Sequence, residues 1–89
     1  MAHWNEIRTA AYVARLGTVS AAAEALDVHR ATVIRHIDQL EAHFGAKLFI
    51  RAKSGYTATD FGRELMRVAD QADAQFAGLR RTVSAQQDG

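Results

Sequence analysis

The run Ser20-Ala21-Ala22-Ala23-Glu24-Ala25-Leu26-Asp27-Val28 leads directly into His29-Arg30-Ala31-Thr32-Val33-Ile34-Arg35-His36-Ile37-Asp38-Gln39-Leu40-Glu41. It reads as a short alanine-packed helix, a tight turn, and a longer helix with polar residues at its front. Ala21, Ala22, Ala23 and Ala25 carry almost no side-chain bulk, so a second helix can cross the first closely and steeply. Asp27 falls where the chain must turn sharply, and aspartate tolerates the left-handed conformation better than most residues. Leu26 and Val28 are expected to plug the angle. In the second helix Val33, Ile37, Leu40 and Phe44 recur at spacings of four, three and four. They form one apolar stripe that leaves Arg30, Arg35 and His36 off it. This is the shape of a helix-turn-helix, and DNA binding is the expectation that comes with it.

Working outward, a preceding helix is expected over about Asn5 to Leu16. Ile7, Ala10, Ala11, Val13 and Ala14 would be its buried side, and Gly17 would end it. Ser20 is a suitable N-cap for the alanine helix. The reading helix should stop near Phe44, where Gly45 supplies a left-handed C-terminal residue. The period then changes: Leu48-Phe49-Ile50-Arg51 and Tyr56-Thr57-Ala58 are strand-like runs about Ala52-Lys53-Ser54-Gly55. They predict a hairpin with a basic tip, the position of a wing.

Thr59 is placed to cap a long last helix, with Asp60 in a first turn that favours negative charge. Its apolar residues Leu65, Ala69, Ala72, Phe76, Leu79 and Val83 alternate four and three apart. Such a seam, kept for close to three heptads, suits pairing with the same helix of a second copy in a two-fold homodimer. Packing of this stripe back onto a monomer is the alternative, and helix length argues against it. The division expected is residues 1–58 as a winged helix-turn-helix and 59–89 as a linker and dimerisation helix.

Composition narrows the function classes. At 89 residues the chain is one small domain, of a size often stabilised by association. It has no cysteine, so neither a disulfide framework nor a thiolate metal site is available. The four histidines lack carboxylate or thiolate partners at ligand spacing, so no metal or other cofactor is expected. Neither a signal-like start nor a run of eighteen apolar residues is present, which points to a soluble cytoplasmic protein without membrane attachment. The formal net charge is only +1. Up to Tyr56, however, seven basic residues stand against five acidic ones, and from Thr57 onward four stand against five. The small positive excess sits in the half that carries the motif.

Together these residues resemble the N-terminal DNA-binding domain of LysR-type transcriptional regulators. The resemblance covers Ile7 to about Leu65. It rests on Gly17 before Ser20-Ala21-Ala22-Ala23, Leu26 with Val28, Ile37 with Leu40-Glu41, Gly45 with Lys47-Leu48-Phe49 and Arg51, and Thr59 with Gly62. It implies a mainly α fold: a winged helix-turn-helix of three helices and a two-stranded wing, followed by a dimerising linker helix. It implies a transcription regulator that binds double-stranded DNA as a homodimer at an interrupted, often AT-rich palindrome. It also implies a small-molecule effector sensed through a C-terminal domain that this chain lacks, with tetramers in the full-length form. An excised domain is expected on these grounds rather than a complete small regulator. The chain departs from the family where His29-Arg30-Ala31 replaces Ser-Gln-Pro, where Ile34 replaces a serine or threonine, and where Ala10 replaces a phenylalanine whose volume Tyr12 or Trp4 would fill.

The expected DNA-binding set is Ser20, His29, Arg30, Ala31, Thr32, Ile34, Arg35, Arg51, Lys53 and Ser54. Arg30 suits either the O6 and N7 edge of guanine or a phosphate, and Ile34 suits a thymine methyl. Arg35 lies near DNA or is simply solvated. His29 caps the reading helix through its ring or lies on a phosphate, while His36 and His43 decorate the surface. Ser20 and Thr32 are plain caps or packing residues, or phosphate donors. The resemblance puts Arg51 at the base of the wing as a basic contact, and Lys53 and Ser54 at its tip against backbone or minor groove. Gly55 is expected to serve the turn by its backbone freedom. Two other classes were weighed. An interaction module with this fold that leaves DNA alone is favoured only by the weak net charge. An enzyme is disfavoured, because no nucleophile, base and orienting group converge and no glycine-rich phosphate loop is present.

Overall fold

The structure, a computed structural model, describes residues 3–88. Its elements run α1 (Trp4–Leu16), α2 (Val19–Leu26), α3 (Arg30–Phe44), β1 (Phe49–Ala52), β2 (Gly55–Ala58) and α4 (Asp60–Asp88). This is the winged helix-turn-helix with a long final helix that the sequence pattern predicts.

Each helix ends for a local reason. Gly17 at φ 87° closes α1, its N–H donating to the Val13 carbonyl. Asp27 at φ 57° closes α2, and Gly45 at φ 68° closes α3. These are the left-handed positions assigned from the residue types. The α2 start differs from expectation. Thr18, not Ser20, is the N-cap, and its Oγ1 accepts from the Ala21 N–H at 3.1 Å. Starting two residues earlier puts Val19 inside the helix and into the core, and leaves Ser20 exposed in the first turn. His29 precedes α3 without a side-chain cap bond, so its ring does not serve as a cap.

The core is formed by Ile7, Ala10 and Val13 of α1, Val19, Ala22 and Ala23 of α2, and Val33, Ile37 and Leu40 of α3. Leu48, Phe49 and Leu65 complete it. Ala22, buried completely, gives the close helix crossing, while Ala25 faces solvent. Several expected core positions are corrected. Ala14 is exposed because it lies in the last turn of α1, past the residues that cover Ile7, Ala10 and Val13. Val28 is also exposed and Leu26 only half-buried, so the angle between α2 and α3 is filled chiefly by alanine contact. Phe44 stays partly exposed at the far end of α3, its ring edge-on to Phe61 at 5.4 Å. Tyr12 packs against the core on the α1 side, whereas Trp4 is exposed.

The wing is an antiparallel pair in the register Phe49↔Ala58 to Ala52↔Gly55, with Lys53-Ser54 as its two-residue tip. Two backbone contacts hold it. The Tyr56 N–H donates to the Gly17 carbonyl at 2.8 Å, and the Thr59 N–H donates to the Leu48 carbonyl at 2.9 Å. A Cβ on Gly55 would come within 2.8 Å of the Gly17 carbonyl oxygen. Gly55 is therefore required by close approach to the α1–α2 loop, beyond the turn freedom expected of it. Gly62 is tighter still: a Cβ there would lie 2.2 Å from the Leu48 carbonyl oxygen.

At 29 residues, α4 is about 44 Å long, longer than the body it starts from. Thr59 Oγ1 caps it, accepting from the Gly62 N–H at 3.0 Å and donating to the Lys47 carbonyl at 2.6 Å. Its first turns belong to the body: Leu65 is buried in the core, and Phe61, Met66 and Ala69 pack against it. Beyond them Phe76, Leu79 and Val83 are about half exposed. The seam read from the sequence thus divides, with Leu65 and Ala69 used inside the chain and the later residues left open. The heptad pattern has no means of showing which turns the chain's own body covers.

Candidate nucleic-acid interface

One cleft gathers the front of the motif. It is lined by Thr18, Val19 and Ser20 at the start of α2, Arg30, Ala31 and Ile34 on α3, and Ala52, Lys53, Gly55 and Tyr56 on the wing. The bond from Tyr56 to Gly17 fixes the wing as one wall, and the Asp27 turn sets α3 as the floor. Both α2 and α3 begin at this cleft. The positive ends of their dipoles therefore lie beside the same space, which favours an anion.

The side chains add to that field. Arg30 is exposed, and its Nη1 donates to Ser20 Oγ at 3.4 Å. Lys53 and Ser54 are exposed at the wing tip. Among the described residues Arg30, Arg35 and Lys53 form no ion pair, since the salt bridges present use Lys47, Arg51, Arg63 and Arg67. His29 and Ala31 are exposed beside Arg30, and Thr32 is half-buried. Ile34 packs in part on the core and shows its remainder to the cleft. Arg35 looks onto a second, shallower face with Ala31, Ile34, Asp38, Gln39 and Ala42. The structure therefore brings Ser20, Arg30, Ala31, Ile34 and Lys53 together, with His29 and Ser54 exposed at adjacent positions.

Arg51 does not join them as a free cation. Its Nη2 donates to Asp38 Oδ1 at 2.6 Å and to Glu41 Oε1 at 2.8 Å, and its guanidinium lies 5.5 Å from the Tyr56 ring centroid. Burial opposes its charge, but the hydrogen bond to Asp38 and the charges of Glu41 and Asp38 outweigh this and raise its pKa. Glu41 is itself buried, and its Oε2 accepts from the Leu48 N–H at 2.8 Å. Arg51 and Glu41 thus tie the wing to the back of α3, so the basic residue expected at the wing base is held in an ion-pair network. The ion pair forms because the hairpin returns the chain over α3, bringing together residues ten and thirteen positions apart.

Two histidines also have partners. His36 Nδ1 lies 2.8 Å from Thr9 Oγ1, which in turn donates to the Asn5 carbonyl, so this ring joins α3 to α1. The His43 ring packs at a tilt against His3, with ring centroids 4.4 Å apart. Among the described residues no group of three or more histidines, cysteines or carboxylates is placed to hold a metal. Among the described residues no helix is long and apolar enough to cross a membrane.

Residues 4–63 match the family model described as bacterial regulatory helix-turn-helix protein, lysR family. The HTH-type transcriptional regulator GalR of Pseudomonas putida is 38% identical over 74 residues, which cover 83% of this chain and 19% of that protein. The HTH-type transcriptional regulator IlvY of Escherichia coli is 32% identical over 81 residues, 91% of this chain and 27% of that one. Among solved structures, the CbnR_DBD-DNA complex superimposes with a TM-score of 0.80 at 28% identity, covering 96% of this chain and 99% of that one. The chain spans about a fifth to a quarter of the length of these curated relatives.

Proposed function

The chain belongs to the lysR family of bacterial regulatory helix-turn-helix proteins, and from that premise we propose that it reads an interrupted palindromic promoter site as a homodimer. It is a DNA-binding regulatory domain and not an enzyme. In the proposed complex, the front of α3 enters the major groove and Lys53 and Ser54 grip flanking backbone. The observation that supports this reading best is the shared cleft, where two helix N-termini, Arg30 and Lys53 meet with no carboxylate paired to either side chain among the described residues. Phosphate contacts would supply much of the affinity, and the α3 front the specificity.

The dimer would form through the open part of α4. Ala72, Phe76, Leu79 and Val83 continue the stripe past the core-buried Leu65; Phe76 meets Trp4 of α1 edge-on at 6.2 Å yet stays about half exposed, as do Leu79 and Val83. Residues 1–58 would then carry the DNA-reading surface and 59–89 the link between copies. In a full-length form of the size of these relatives, a small-molecule effector would act from a further domain, tetramers would form through it, and the whole would work in the cytoplasm.

Selection of bound duplexes from a random pool tests the reading. An enriched sequence with two inverted half-sites is expected, and failure to enrich any duplex would instead favour an interaction module. Sedimentation of Phe76→Glu tests the dimer: monomers with weakened DNA binding are expected, and an unchanged dimer removes the proposed interface.

A further inference from the structure

We propose that Arg30 reads a guanine in each half-site, that Ser20 orients it, and that Ile34 meets a thymine methyl about two base pairs away. This rests on the reading that α3 enters the major groove, and it specifies what α3 recognises there. Arg30 is the first residue of α3, where a reading helix presents its base-contacting side chains. Its hydrogen bond to Ser20 Oγ engages only Nη1. Of the five guanidinium donors, the adjacent Nε and Nη2 edge stays free, a fork that matches two neighbouring acceptors. Guanine offers such a pair in O6 and N7, whereas adenine sets a donor beside its N7.

The neighbours support this assignment. Ala31 is exposed beside Arg30 with only a methyl group, so no bulk holds the helix away from the base edges. Ile34 follows one turn later on the same helix, along the floor of the cleft. Four residues advance about 6 Å along a helix, close to the rise of two base pairs. Without donor or acceptor, the exposed part of Ile34 can discriminate only by apolar contact, and the thymine methyl is the apolar group of the major groove. No carboxylate is ion-paired with Arg30 among the described residues, so base contact does not require an existing ion pair to break.

The test compares the chain with Arg30→Gln and Ser20→Ala, both positions being exposed, in selections from one random duplex pool. Folding is matched by circular dichroism. The wild-type pool should carry a guanine in each half-site, with a thymine about two positions from it. For Arg30→Gln that guanine should become adenine while the rest of the half-site stays. Titrated on the guanine and adenine duplexes, the preference should invert, each chain favouring its own base by about five- to a hundredfold. Ser20→Ala should narrow the guanine preference severalfold, and Ser20→Thr, which keeps a hydroxyl at this position, should restore it, the signature of a positioning residue. A wild-type palindrome without the guanine would overturn the proposal. So would an Arg30→Gln chain that keeps the wild-type sequence and binds every duplex more weakly by one factor, because Arg30 would then serve a phosphate. A wild-type chain that enriches nothing contradicts the DNA-reading function itself.

Discussion

Arg30 and Arg51 flank the same helix, and sequence pattern directs both toward DNA, yet the fold uses them differently. Arg30 stands at the open front of α3 with only a serine hydroxyl as partner. Arg51 lies across the back of α3, held by Asp38 and the buried Glu41. One cation has no ion pair among the described residues and the other sits in an intramolecular network. The difference lies in what is buried nearby. A carboxylate placed under the wing requires a counter-charge and donors, and Arg51 with the Leu48 N–H supplies them. Near Arg30 the groups are alanines, a serine and helix N-termini, which call for an anion from outside.

The largest effect expected from breaking this contrast is at Glu41. Glu41→Ala leaves the Leu48 N–H and Arg51 without their shared acceptor, and should lower stability by about 3 kcal/mol in denaturant unfolding. A loss near zero would mean that the wing is held by backbone and packing alone. Arg51→Ala should follow at about 1–2 kcal/mol, smaller because its guanidinium is partly exposed and screened. Its DNA binding should weaken in step with the altered wing position. Arg30→Ala should change stability by less than about 0.5 kcal/mol, as befits an exposed residue without an ion pair. Its DNA affinity should nevertheless fall severalfold or more in anisotropy titrations, which separates the two arginines.

The smallest effect sharpens the contrast at a site where an ion pair secures little. Glu64 and Arg67 are hydrogen-bonded on the open face of α4, and Arg67 lowers the Glu64 pKa from its ordinary value. A depressed carboxylate pKa stabilises the fold above the unfolded value and loses that contribution as pH falls through the carboxylate range. Glu64→Gln should therefore lower the melting temperature slightly at neutral pH, and the gap should close in acid. A gap that widened in acid would reverse the assigned sign.

The left-handed positions Gly17, Asp27 and Gly45, the wing and the core stripe of α3 were legible in the sequence because each depends on local residue type and spacing. What remained hidden depends on distance in the chain. Thr18 and Ser20 are equally good caps by composition, and only the burial of Val19 selects Thr18. The partners of Arg51 become visible only once the hairpin has folded over α3. The Thr9–His36 bond spans 27 residues and leaves no periodic trace. In the same way Leu65 reads as part of a seam, while the body determines that it is core. The candidate site was readable at its front, where exposed residues keep their solvent-facing character, and least readable at its back.

The most direct measurement is an anisotropy titration of the chain on its enriched duplex and on a scrambled control at several salt concentrations. The cleft predicts tighter binding to the enriched duplex and a steep fall of log affinity with log salt, about 0.9 per phosphate engaged. Equal affinity for the two duplexes, or a slope near zero, would contradict the assignment of the α3 front and the wing tip as a DNA-reading surface.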